Sequence, residues 1–510
     1  MRRHLMVLLA GLALAQGAPA MAAEDGGKAL MRDAKAIDVA IAKNDCAAGL
    51  PLVRRFLAYP QFPQVSQAAR LAVWTFATDC ASQDPQLDEE AFADVQQATA
   101  LPGASDEMWE YRVRMAGHLR RPDDVAEAVE TLADSRPRTL DQVSVRVFSQ
   151  VLRREREAGR TTFAPRILAA LEKADYKPAK FGEQADGLWL AQARLVADAG
   201  DQAHAAALLR RIGNTGDLLS ASLDIRFAPT VRADPQRFDA RAATERMLAA
   251  DQALLATHPA SLTTTHEVIE ELRALERYEE ALTLAQAALD RIAAAPKDKP
   301  AYDDLADELN WIHDDKARAL LELGRVDEGL QAERDGVAAG EDGAAKNVSQ
   351  TINLAGMYNS AGRPQDALAT LKELESLSQA TPYGIAWVQA ERACADRSLG
   401  RQAELGAALD YLAAHTTDNP SARLKGQLCA GDLDGAAATV MAQLRDDDSR
   451  GDMLTTLCDF SGPARRTPFD AQLLRALAAV RQRPDVQAAI ARVGRTEAVP
   501  LNGNVFTDFY

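Results

Sequence analysis

The chain has 510 residues, 47% hydrophobic and 26% charged, with 74 acidic against 58 basic side chains and a formal net charge of −16. That length exceeds what one compact core holds, so several domains or an elongated array is expected. The acidic balance argues against nucleic acid, whose phosphates need clustered Lys and Arg, and 5% aromatic residues is thin for a carbohydrate cleft or a base-stacking platform.

Taken in order, Arg2 and Arg3 precede an apolar run from Leu5 to Ala15, and small residues follow at Ala18, Ala20 and Ala22. This is the three-part layout of a secretory signal peptide, residues 1–22, with cleavage expected near Ala22. The run is shorter than the roughly 20 apolar residues a membrane span needs. A periplasmic or secreted location with no membrane span is therefore expected.

Residues 30–43, 47–58, 65–79 and 89–98 carry apolar side chains at helical spacing, broken by Asn44-Asp45, by Pro60 and Pro63, and by Asp84-Pro85. Residues 109–119 and 125–132 flank Arg120-Arg121-Pro122, and 140–157 pairs with 163–173. Residues 189–199 and 203–212 flank Gly200-Asp201. The stretch 216–240, with Gly216, Pro229 and Pro235, breaks this rhythm. It is read as a linker between arrays at 23–215 and 241–465, with 223–227 as a short extended piece. Residues 466–510 are read as capping helices and a tail.

The plainest unit runs from Asn347 to Ser378. Ile352, Leu354, Ala355 and Tyr358 fall at helical spacing, Gly362-Arg363-Pro364 interrupts, and Ala367, Leu368 and Leu371 resume the period. Glycine accepts the left-handed conformation that ends a helix, and proline suits the first turn of the next. Turn glycines recur at 324, 362, 400 and 431, separated by 38, 38 and 31 residues. Leu354, Tyr358, Gly362, Ala367 and Leu371 resemble a tetratricopeptide repeat (TPR), which implies an all-α chain of stacked helix-turn-helix hairpins forming a superhelical solenoid.

The resemblance implies a concave surface lined by the first helix of each hairpin, which in this family commonly receives a peptide or protein. Carried over position by position, it places His266, Glu270 and Arg273, then Trp311, Asp314 and Arg318, then Ile352, Gly356 and Asn359, then Trp387 and Arg397 on that wall. The Lys and Asn pair with which some members clamp a C-terminal carboxylate has no counterpart here. Export makes the five cysteines candidates for pairing. Cys46 and Cys80 lie 34 residues apart at two helix ends, and Cys429 and Cys458 lie 29 apart in a similar setting. Two bridges are expected there, leaving Cys394 single.

No G-x-S-x-G, H-E-x-x-H or phosphate-cradling glycine loop occurs, and His313 has Ala317 where a second helical ligand belongs. No catalytic residue, metal or cofactor is expected. The leading reading is an exported, non-catalytic scaffold for a protein or peptide partner. The alternative is an exported helical-toroid enzyme acting on polysaccharide.

Overall fold

The computed structural model describes residues 22–296, 298–339, 347–374, 380–462 and 467–503. Of the expected signal peptide, residues 1–21 lie outside the described residues. Two compact units divide the chain between Leu188 and Trp189.

Among the described residues the first unit holds four helical hairpins: Ala22–Lys43 with Cys46–Leu57, Gln67–Ala81 with Asp88–Thr99, Asp106–His118 with Pro122–Ser135, and Val145–Glu157 with Phe163–Lys173. Leu30, Ile37, Val53, Phe56, Val73 and Phe76 form the core of the first two. Gly49 is required there, because a Cβ would meet the Phe76 ring at 2.4 Å. The Cys46–Cys80 bridge closes the start of one helix onto the end of another, with 5.2 Å between Cα atoms.

The second unit opens with the pair Asp186–Asp198 and Gln202–Leu209. The expected linker 216–240 is folded into this unit. Thr215–Leu223 and Ala228–Ala233 are helices, and Leu218, Leu219, Leu223 and Phe227 are buried. The expected extended piece at 223–227 is a tight 3₁₀ turn, Ile225–Phe227, started by Asp224, whose carboxylate accepts the Arg226 backbone N–H at 2.9 Å. Apolar side chains at 218, 219, 223 and 227 make this stretch core, which its prolines and glycines disguise.

After the long helix Ala240–Thr257 come five stacked repeats. Repeat 1 is Leu262–Ala274 with Tyr278–Ala294, repeat 2 is Leu305–Glu322 with Val326–Ala338, and repeat 3 is Val348–Ser360 with Pro364–Lys372. Repeat 4 is Pro382–Leu399 with Gln402–Ala414, and repeat 5 is Pro420–Ala430 with Leu433–Arg445. The fold is all-α and TPR-like, with each first helix packed on the first helix of the next repeat.

The turns explain why the hairpins form. Gly324, Gly362, Gly400 and Gly431 all sit at φ between +72° and +78°. Repeat 1 uses Glu276 at φ +62°, and the third hairpin of the first unit uses Arg120 at φ +59°. Five residues after each turn in repeats 1, 2, 3 and 5, where the two helices cross, stand Ala281, Gly329, Ala367 and Ala436, all buried. At Gly329 a Cβ would lie 2.8 Å from Leu321 and 2.9 Å from the Ala317 carbonyl, so the close crossing excludes any side chain.

Behind repeat 5 follow Arg450–Thr456, the short strand Asp459–Ser461, helices Pro468–Arg481 and Pro484–Val493, and the strand Ala498–Asn502. The two strands pair in parallel, Asp459 with Ala498 and Phe460 with Val499. Val499 and Leu501 are buried in the core shared with repeats 1 and 5. Thus residues 498–502 of the tail are a folded strand.

The cysteine pairing differs from expectation at one bridge. Cys429 bonds Cys394, with Cα atoms 5.0 Å apart, and Cys458 is a buried free thiol. Cys394 and Cys429 both lie on first helices, of repeats 4 and 5, which pack directly against each other. Cys458 lies beyond the array and caps the backbone instead: its Sγ accepts the Glu497 N–H at 3.4 Å.

Candidate functional site

The first helices of the five repeats carry polar side chains on the faces by which they meet. In repeat 1, Arg273 reaches across to repeat 2 and donates to both oxygens of Glu322 at 3.1 and 2.9 Å. One turn or more earlier, His266 Nδ1 lies 2.7 Å from Asp315. Within repeat 2, Arg318 donates to Asp314, four residues back on the same face, at 2.6 Å. Asp314 also accepts from Asn353 of repeat 3 at 3.0 Å. Asn359 of repeat 3 donates to Glu391 of repeat 4 at 2.9 Å, and Glu391 accepts from Lys425 of repeat 5 at 2.6 Å. A polar spine therefore links all five first helices.

This spine is buried. Arg273, Asp314, Arg318 and Asn359 are each no more than 5% exposed, so these four expected groove residues brace the stack and do not line an open wall. The physical reason is that the chain covers its own inner helices. Asn502 on the last strand donates to Glu322 at 2.7 Å, and Asp470 of helix 468–481 accepts from Ser360, at the end of the first helix of repeat 3, at 2.6 Å. Ile352 is buried in the core of repeats 2 to 4, and Gly356 is buried in its helix.

The remaining expected groove residues stay within reach of solvent. His266, Trp311 and Trp387 are half-buried, and Glu270 and Arg397 are exposed. Of these, the structure brings together His266, Glu270 and Trp311. The His266 and Trp311 rings are 6.1 Å apart between repeats 1 and 2, and His266 Nε2 is 3.8 Å from Glu270. Trp387 packs separately, with the Lys425 ammonium 5.8 Å from its ring centre.

Burial on its own would push His266 down, but the charge and hydrogen bond of Asp315 lift it to about 10, so it is a cation at neutral pH. Burial raises Asp315 to about 6 against the pull of His266. Beside them, burial and the neighbouring Asp251 raise Glu267 to about 7 and Glu271 to about 10. Glu308 is also raised by burial. His266, with the Trp311 ring beside it, thus stands among the carboxyl groups of Glu267, Glu270 and Glu308.

A separate cleft of about 620 Å³ opens between the second helix of repeat 1 and both helices of repeat 2, lined by Asp290, Lys316, Arg325, Glu328, Gln331 and Asp335 among others. Among the described residues no group of His, Cys, Asp or Glu is arranged to hold a metal ion, and no helix is long and apolar enough to cross a membrane.

Sequence reasoning missed Asp315, Glu322, Asn353, Glu391, Lys425 and Asn502. Glu391 and Lys425 lie on successive first helices but at different distances from their turn glycines, Gly400 and Gly431, so the spacing does not announce the pair. Asn502 has no signal in the spacing either.

No family model matches the sequence, and no curated protein matches it. Among solved structures the chain is similar to the APC/C hetero-tetramer Cut9–Hcn1, at 12% identity over 92% of each chain with a TM-score of 0.30. It is also similar to a Rap protein complexed with competence and sporulation factor, at 12% identity over 81% of this chain and 99% of that one, TM-score 0.32. A third is Naa15/Naa10 bound to HypK-THB, at 12% identity over 91% and 90%, TM-score 0.26. At these TM-scores the likeness carries nothing about function.

Proposed function

We propose that the second unit is a non-catalytic scaffold that holds a polypeptide partner in an exported, oxidising compartment. Two disulfides fit that compartment, as does the signal-peptide layout of residues 1–22. The contact surface is the patch of His266, Glu270 and Trp311, with Glu267 and Glu308 at its rim. The observation that carries this reading is the Trp311 ring, half-buried beside His266, which itself meets the carboxylates of Glu270 and Asp315 across two helices that the spine holds in fixed register. A lysine or arginine side chain of a partner fits there, its charge over the indole face and against Glu270. Trp387 and Arg397 extend the same role to repeat 4.

The test is chemical crosslinking to exported proteins with wild type and the double variant Trp311→Ala/Glu270→Lys. Glu270 is exposed and Trp311 half-buried, so a modest fall in melting temperature is expected and both proteins are compared well below it, where circular dichroism shows them equally folded. Loss of crosslinked partners in the variant supports the reading. An identical partner set would remove this patch from it.

A further inference from the structure

The first unit of this acidic chain holds a cationic pocket. About 450 Å³ opens between the turn after Asp106–His118 and the end of helix Val145–Glu157, and its wall includes Arg120, Arg121, Arg154 and Arg160 against the single acid Glu155. A volume of that order lies in the range of roughly 300–1,000 Å³ typical of small-ligand sites.

The backbone builds this pocket. Gly117 lets the two helices approach, since a Cβ there would stand 3.1 Å from Val147 and 3.4 Å from Val151. The approach brings Arg154 onto the Gly117 carbonyl, to which Nη1 donates at 2.9 Å. Arg160 is folded back onto Glu155, whose two oxygens it occupies completely enough to cancel the one acid of the wall. Arg121 is shared with Glu89 outside the pocket. Arg120 sits at the apex of the turn with φ +59°, an expensive conformation for a residue with a side chain, and it projects to solvent.

Among the described residues neither Arg120 nor Arg154 has a carboxylate partner. In a chain with 74 acids and 58 bases, these two guanidinium groups leave the pocket wall with a local surplus of positive charge. We infer that this pocket is a binding site for a phosphate group. Guanidinium forks match phosphate oxygens two at a time, and a wall with a surplus of positive charge favours a dianion over a single carboxylate. The volume leaves space for the moiety that carries the phosphate, which is either a small soluble phosphate ester or a phospholipid headgroup.

The experiment is calorimetric titration of the full chain at low salt with pyrophosphate, glycerol 3-phosphate and citrate, and co-sedimentation with vesicles containing phosphatidic acid. Saturable binding of either phosphate probe or of the vesicles is expected, weakened about tenfold by Arg120→Gly and again by Arg154→Gln, as loss of one charge-assisted contact requires. Arg120→Gly suits the left-handed turn, so melting should hold or rise while binding falls. Arg232→Ala, which removes one exposed charge in the other unit, should leave binding unchanged. Vesicle binding without soluble-ester binding would assign the headgroup, and the reverse would assign the ester. Citrate bound as tightly as pyrophosphate, equal loss from Arg232→Ala, or no saturation with any phosphate probe would overturn the inference.

Discussion

Arg273→Met separates the two roles open to an inner-helix arginine. On an accessible wall, its loss would cost partner binding and leave melting unchanged. In the structure its side chain is 2% exposed, its Nε and Nη2 are bonded to Glu322, and Nη1 is 3.9 Å from Asp315. Methionine fills much of the volume but leaves the Glu322 carboxylate, fully buried, without its ion-pair partner, while Asp315 keeps His266 at 2.7 Å. Breaking a buried pair in this way costs about 3–5 kcal/mol, because an uncompensated charge remains in low dielectric. For a unit of this size that amounts to a fall in melting temperature of roughly 6–10 °C. The assay is calorimetric melting of Arg273→Met, Glu322→Gln and the double variant. Glutamine preserves the acceptor for Asn502, so the cycle isolates the ion pair. The double variant should lose less than the sum of the singles by about 1–2 kcal/mol. Unchanged melting of Arg273→Met, or strictly additive losses, would refute the buried brace.

Gly362→Val should cost about 1–2 kcal/mol in urea unfolding, all of it backbone strain, since no atom lies within 4 Å of a Cβ built at this position of φ +73°. Glu276→Gly should gain about 1 kcal/mol for the same reason in reverse. Cys394→Ala should lose about 3–4 kcal/mol by opening a bridge between residues 35 apart, whereas Cys458→Ala should keep both bridges. Thiol titration of the unfolded, unreduced chain should then count one thiol in wild type and none in Cys458→Ala. Stability should fall as pH rises. Asp315, Glu267 and Glu271 have folded values above those of an open chain, so each contributes stability at low pH that is lost as pH climbs through about 6, 7 and 10 respectively. His266, raised to about 10, adds stability that is complete below the ordinary histidine value and lost as pH approaches 10. Melting followed from pH 5 to pH 9 should decline, and Glu271→Gln should flatten that decline; a melting temperature that increases over this range would contradict the assigned directions.

What could be read from the sequence tracks the range over which each feature is encoded. The turns at 324, 362, 400 and 431 are legible because a left-handed residue without a side-chain penalty is written as glycine. Arg120 and Glu276 adopt the same conformation, and only the helices flanking them betray those turns. The inner-face residues were locatable by position within the repeat, yet their exposure was not, because it depends on segments far along the chain. Asn502 covers Glu322 from 180 residues away and Asp470 covers Ser360 from 110. No periodicity carries that information. The cysteines show the same limit. Spacings of 29 and 35 residues both suit neighbouring helices, and the choice falls to Cys394 because it and Cys429 occupy facing first helices, whereas Cys458 lies past the last hairpin.

The buried spine answers a problem that alanine-rich stacking creates. Ala317, Ala355, Ala390, Ala393 and Ala422 sit on contacting first helices, all fully buried, and small apolar faces of this kind can slide by a turn with little change in packing. Each polar contact admits one register only. Asn359 must meet Glu391 and Glu391 must meet Lys425, or a buried charge is left without its partner. The ion pairs therefore contribute more to which stack forms than to how stable it is, in the way polar core residues fix the register of coiled coils. That is also why His266 and Trp311, the surface proposed for the partner, lie beside the Asp315 end of the spine: a contact patch built across two helices keeps its shape only where the helices cannot slip.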